Sequence, residues 1–187
     1  MITIDGSELL KAEKFLKNIP NGIEKAVKRS VSEAAKGVKV DMARAASKNY
    51  NVTVAKAKST VSIAKGSDAM KAIVASKGRP IALKNFNPKP GHVQYKGRRN
   101  RPVTVTIKKK SKKVVKGGFV ASMDTGHIGV MKRLGQSRLP IKELYGPSVP
   151  QMINSEEVRN EIEEKAKARL AKSFAHNADR ILKGYGR

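Results

Sequence analysis

The distribution of charge constrains this chain more than any other feature of its sequence. Between Met42 and Met123 a single acid, Asp68, stands against twenty lysines and arginines, and the other fourteen acids lie in the two flanks. A helix laced by internal ion pairs needs carboxylates three or four residues from its cations, so the middle of the chain cannot be built that way. It must turn its cations to solvent and fold on its β-branched runs, while the flanks are free to form ordinary amphipathic helices. In total, 40 cations against 15 acids leave a formal charge of +25 on 187 residues. A field of that size implies a polyanionic neighbour, either nucleic acid or an acidic protein surface. Membrane headgroups fit less well, because no basic helix carries large aromatic anchors.

The flanks read as helices. Ile23, Val27, Val31, Ala34, Val38, Met42 and Ala45 step by three and four residues, which predicts one continuous helix over about residues 21–48. Gly37 interrupts it at a cost of about 1 kcal/mol relative to alanine. A shorter helix is expected over residues 7–18, with Ser7 as its N-cap and Pro20 and Gly22 beyond it, and residues 1–5 suit a short edge strand. Near the C-terminus Val158, Ile162, Ala166, Leu170, Phe174, Ala178 and Ile181 mark another long helix. Asn154 and Glu157 have the spacing of a capping box, and Gly184 that of a C-terminal stop.

The centre reads as strands. Val61–Ala64, Ala72–Ala75 and Val103–Ile107 are rich in β-branched residues, and Gly118–Met123 and Ile128–Met131 flank an Asp124-Thr125-Gly126-His127 turn. Residues 85–101, broken by proline and glycine, are expected to form a long basic loop or arm. The fold class is therefore α+β: long N- and C-terminal helices packed on one mainly antiparallel sheet, as a single domain spanning 1–187.

Little in the sequence points to catalysis. There is no cysteine, hence neither a disulfide frame nor a thiolate metal site, and His92, His127 and His176 lie far apart. Asp124 and His127 have a conceivable metal-ligand spacing, but a polar hairpin tip accounts for them. No phosphate-binding P-loop motif is present, and the basic region holds only Asp68 where a two-metal nuclease needs clustered acids. No catalytic residue, metal or cofactor is expected. The N-terminus lacks the basic start and apolar run of a secretion signal, and no uncharged apolar stretch approaches the ~20 residues of a membrane helix.

Two basic clusters stand out, one holding Arg98, Arg99 and Arg101 and the other Lys108, Lys109, Lys110, Lys112 and Lys113. One reading is a solvated hairpin in which strand 103–107 passes through a basic tip and returns through Val114-Val115. The other is phosphate contact, favoured by two clusters in succession within an almost acid-free region, and it carries no base specificity. Only Phe86 and Tyr95 lie nearby, too few aromatics for base stacking.

One composite motif resembles a known family. Gly118-Phe119-Val120-Ala121, then Gly126 to Val130, then Arg138-Leu139-Pro140-Ile141, and finally Leu144-Tyr145-Gly146-Pro147-Ser148-Val149-Pro150 are similar in order to minor tail protein Z of lambdoid phages and prophages. The resemblance implies a structural virion protein that completes the tail and joins it to the head at the neck. It implies a homo-oligomeric ring of six-fold symmetry, with tail tube, terminator or head connector proteins as neighbours. It further implies a virion component of the tail or neck, assembled in the bacterial host cytoplasm. The basic middle would face the DNA path or an acidic ring. Charge alone leaves a second possibility, a sequence-nonspecific nucleic-acid-binding protein of nucleoid or ribosomal type.

Within this motif the Pro-rich segment 138–153 shows no regular period. Its prolines stiffen it and Gly146 relieves its backbone. Arg138, Leu139, Pro140, Ile141, Leu144, Tyr145, Gly146 and Pro147 form a candidate assembly interface, with apolar anchors and one guanidinium fork. The competing reading is that the segment covers the sheet of its own subunit.

Overall fold

In a computed structural model of the chain, residues 2–5, 22–66, 70–93 and 102–183 are described. In chain order their elements are β1 (Ile2–Asp5), α1 (Gly22–Asn49), α2 (Val54–Ser59), β2 (Val61–Lys65), β3 (Lys71–Ser76), β4 (Ile81–Ala82), a 3-10 turn (Leu83–Asn85), β5 (Val103–Val105), β6 (Lys113–Val115), β7 (Gly118–Ser122), β8 (Ile128–Arg133), β9 (Ile141–Glu143), β10 (Tyr145–Gly146), α3 (Val149–Ile153) and α4 (Glu156–Leu182). The chain mixes helices with antiparallel sheets, as the sequence leads one to expect. The expected helix over 7–18 and the Gly184 stop lie outside the described residues. Contacts gather in two compact units.

The first unit comprises the described residues of Met1–Ala45, Val54–Lys77 and Ile153–Arg187. The expected stripe on α1 is buried at Val27, Val31, Ala34, Val38, Met42 and Ala45, and Ile23 is half-buried. Ala26, Ala35 and Ala43 widen that face. Periodicity could not assign these alanines, because alanine is as acceptable in solvent as in a core. On α4, Val158, Ile162, Ala166, Phe174 and Ile181 are buried, while Leu170 and Ala178 are half-buried. The capping box on Asn154 does not form. Asn154 lies in the turn leaving α3, and Ser155 takes the N-cap position in an extended conformation without a side-chain cap bond.

Among the described residues, side chains of α4 donate three hydrogen bonds to α1. The Asn177 amide donates to Ser30 Oγ at 3.1 Å and to Glu33 Oε2 at 3.0 Å. The Arg169 guanidinium donates to Asp41 Oδ2 at 2.7 Å. Beside these helices β1, β3 and β2 form an antiparallel sheet in that order, with Ile4 opposite Ala72 and Ile63 opposite Val74. Residues 2–5 are thus an edge strand, as expected, and α4 packs on it.

The second unit comprises the described residues of Ala46–Thr53 and Gly78–Met152. Its ladders are antiparallel, but the expected single sheet is absent: β10 pairs β4, β5 pairs β6, and β7, β8 and β9 form a third sheet in that order. Pro80, Pro102, Pro140 and Pro147 border these strands, and a residue without an N–H ends a ladder. Strand β5 stops at Val105 rather than Ile107 because its backbone groups turn elsewhere. The Thr106 N–H donates to the Phe86 carbonyl, and the Ile107 carbonyl accepts from the Asn51 N–H, each at 2.9 Å. Phe86, Val103, Val105, Val130, Met131 and Met152 are buried. The Asp124–His127 turn forms as predicted, closed by the Met123 N–H on the His127 carbonyl at 2.8 Å, with Gly126 at a φ of +77°.

Candidate functional site

Lys108, Lys109, Lys110 and Lys112 of the second basic cluster lie in the connection between β5 and β6, Lys113 opens β6 opposite Val105, and the return through Val114-Val115 is as the sequence predicts. The connection is anchored at its base. The Lys109 N–H donates to the Asn49 carbonyl at 3.0 Å, Tyr50 and Lys108 bridge, and the Lys108 ammonium stands 5.9 Å from the centre of the Tyr50 ring. Lys110 takes a φ of +70° at the tip, where the Ser111 N–H donates to the Lys108 carbonyl. Lys108, Lys109, Lys110, Lys112 and Lys113 are all exposed. None of the five pairs with a carboxylate among the described residues. Five cations, four on the turn and Lys113 at the start of β6, present a positive surface to any polyanion. Arg98, Arg99 and Arg101 lie outside the described residues. The part of the expected loop before them is tied down, since Lys89 exchanges both backbone hydrogen bonds with Thr104, at 2.8 and 2.9 Å.

The Pro-rich segment divides in two. Arg138, Leu139 and Pro140 are exposed in the β8–β9 connection. Beyond them the chain has regular structure where the sequence shows no period. Ile141 is half-buried in β9. The Leu144 N–H donates to the Val130 carbonyl at 2.8 Å, and the Leu144 carbonyl accepts from the Leu83 N–H at 3.0 Å. Tyr145 and Gly146 pair with Ala82 and Ile81, and Pro147 is half-buried before α3. The pairing partners, residues 81–83, lie some sixty positions earlier in the chain, so no local pattern announces them. Gly146 is also explained differently. Its backbone is not left-handed; instead a Cβ there would stand 2.7 Å from Phe86 Cε2. The anchors therefore separate by exposure, with Leu139 and Tyr145 reaching solvent and Ile141 and Leu144 half-buried.

One polar cluster escaped the sequence reading. His127 meets Glu143 rather than Asp124: its Nε2 lies 3.0 Å from Glu143 Oε1, and the Tyr145 hydroxyl donates to Glu143 Oε2 at 2.9 Å. The Glu143 carboxylate, by accepting that hydrogen bond and by its charge, holds the Tyr145 phenol above its usual pKa. No group of three metal-ligating side chains is present among the described residues, and none of the described helices is long and apolar enough to cross a membrane. A signal for the cluster was available in the strand alternation that sets Glu143 opposite Met131, but its use requires the β8–β9 register.

The family model described as prophage minor tail protein Z (GPZ) matches residues 9–185. No curated protein and no solved structure matches the chain. The match takes in both long helices, the lysine tip and the whole Pro-rich segment, and so extends the resemblance well beyond the motif on which it first rested. The chain belongs to the prophage minor tail protein Z family, a family of structural phage tail proteins.

Proposed function

We propose that the chain is a non-enzymatic tail completion protein that joins tail to head at the neck of the virion. It forms a closed homo-oligomeric ring of six-fold symmetry. The lysine tip faces the DNA path or an acidic ring of the connector or tail tube, and the exposed part of Arg138–Pro147 contacts the neighbouring protein. The observation that carries this reading is the tip itself, five exposed lysines on and next to an anchored turn with no described carboxylate beside them. Such a turn is repulsive in isolation and finds its compensation in an assembly rich in phosphate or acid. A free nucleic-acid-binding protein would use the same lysines but would leave the exposed Leu139 and Tyr145 without a role. An electron-microscopy map of the assembled particle tests the proposal. It is expected to show a closed ring of this chain at the upper end of the tail, and a single copy or an open filament would overturn it.

A further inference from the structure

Resting on that reading, we propose that the β8–β9 hairpin, residues 132–142, is a preformed plug for an acidic, apolar-floored socket on a different protein of the particle. Leu134 and Leu139, 65% and 66% exposed, are the most exposed large apolar side chains among the described residues. They bracket a turn that is already ordered. The Leu134 N–H donates to the Pro140 carbonyl at 3.2 Å. The Arg133 guanidinium donates to the Ser137 carbonyl at 3.5 Å and lies 5.5 Å from the centre of the Phe119 ring. Two leucines on a braced turn bury apolar area on docking with little loss of conformational freedom.

The charge around the leucines names the partner's chemistry. Lys132 and Lys142 stand directly opposite each other in the antiparallel register, and both are exposed. Like charges in that relation destabilise a ladder. A carboxylate placed between them by a partner turns one repulsion into two attractions, and Arg138 extends the same field. The only acid of residues 125–155 is Glu143, which already holds His127 and Tyr145.

A second copy of this chain is a poor source of that carboxylate, because it carries the same excess of 40 cations over 15 acids, and acids such as Asp41 and Glu161 already face Arg169 and Lys165 of their own chain. Duplex DNA supplies phosphates but no socket for two leucines. A foreign acidic protein surface supplies both.

The test uses tails assembled from the phage's tail-gene cluster on a plasmid, with this chain supplied in trans. Copies per purified tail are counted by mass spectrometry, and each variant is also melted in isolation. Leu134→Ser with Leu139→Ser is expected to reduce incorporation roughly a hundredfold, as loss of two buried leucine anchors implies. Lys142→Glu gives the contact opposite signs in the two assays. It converts the facing lysines into an attractive pair, so the melting temperature rises while incorporation falls. Replacing Leu139 by p-benzoylphenylalanine and irradiating the tails is expected to join this chain to another virion protein at a peptide rich in Asp or Glu. A parent chain absent from purified tails would overturn the tail-protein reading and this inference together. With the parent present, normal incorporation of either variant, or a crosslink to DNA or to a second copy, would overturn the plug alone.

Discussion

Asn177 on α4 donates its side-chain amide to Ser30 Oγ on α1 at 3.1 Å, across 147 residues of sequence, with both side chains buried. Ser30 in turn donates to the Ala26 carbonyl at 2.6 Å, so the pair is fully satisfied. A buried hydrogen bond adds little net stability, but an orphaned partner is expensive. Asn177→Ala is therefore expected to cost about 1–3 kcal/mol. Ser30→Ala combined with Asn177→Leu removes both polar groups and refills the space, and should lie close to the parent. Urea denaturation of the parent, Ser30→Ala, Asn177→Leu and the double variant measures the cycle. Strict additivity would show that the two groups do not depend on each other.

Gly37 sits under the Arg169 side chain, and a Cβ there would come within 2.2 Å of Arg169 Cδ. In an ordinary helix Gly→Ala stabilises by about 1 kcal/mol. Here the gain must displace the arm that reaches Asp41. Gly37→Ala is expected to be neutral or destabilising in the parent and stabilising by about 0.5–1 kcal/mol once Arg169→Ala has cleared the space. Equal effects in both backgrounds would disprove the coupling.

Gly146 stands against the fully buried ring of Phe86. Gly146→Ala overpacks that contact and is expected to cost about 1–3 kcal/mol. Thermal melting checks this, and Phe86→Leu in the same chain should recover part of the loss by making room. An unchanged melting temperature for Gly146→Ala would mean that β10 and the ring separate freely.

The lysine tip makes a prediction about salt. Duplex DNA binding by the parent should weaken steeply as salt rises, with a log–log slope of about −0.9 per phosphate contact. Changing Lys108, Lys109, Lys110, Lys112 and Lys113 to Gln should flatten that slope while the fold is kept, since all five are exposed and, among the described residues, only Lys108 gives up a contact, that with the Tyr50 ring. Equal slopes for the parent and the variant would exclude contact through this turn.

Tyr145 offers a titration. Glu143 raises its phenol above 10.0. A group whose pKa is raised on folding contributes stability that is fully present below its unfolded pKa, near 10, and is lost as pH climbs through the folded value. The alkaline limb of the stability curve should therefore be gentler in Glu143→Gln. NMR titration of the Tyr145 ring should show its pKa falling toward 10.0 in that variant. An unmoved Tyr145 would show that the carboxylate is not its acceptor in solution.

Sequence by itself determined what depends on neighbours a few residues apart. The faces of α1 and α4 follow from side chains recurring every three or four positions, and the Asp124–His127 hairpin from a glycine at the one turn position that takes a positive φ. The Lys108–Lys113 turn follows from charge that had no local partner. What the sequence could not specify is what depends on residues brought together from far apart. Ala82 claims Tyr145, Phe86 leaves room only for a glycine at 146, and Glu143 takes His127 from Asp124. The capping box on Asn154 has the correct spacing, yet it yields to a neighbouring helix, α3, that no period announces. The Pro-rich segment shows the same division. Its prolines rule out a long strand or helix, whereas only tertiary pairing decides that Leu144 turns partly inward and that Leu139 remains in solvent. Local patterns fix dihedral preference and the side of an element that seeks a core, whereas burial of a particular group is settled by long-range packing against whatever the rest of the chain delivers.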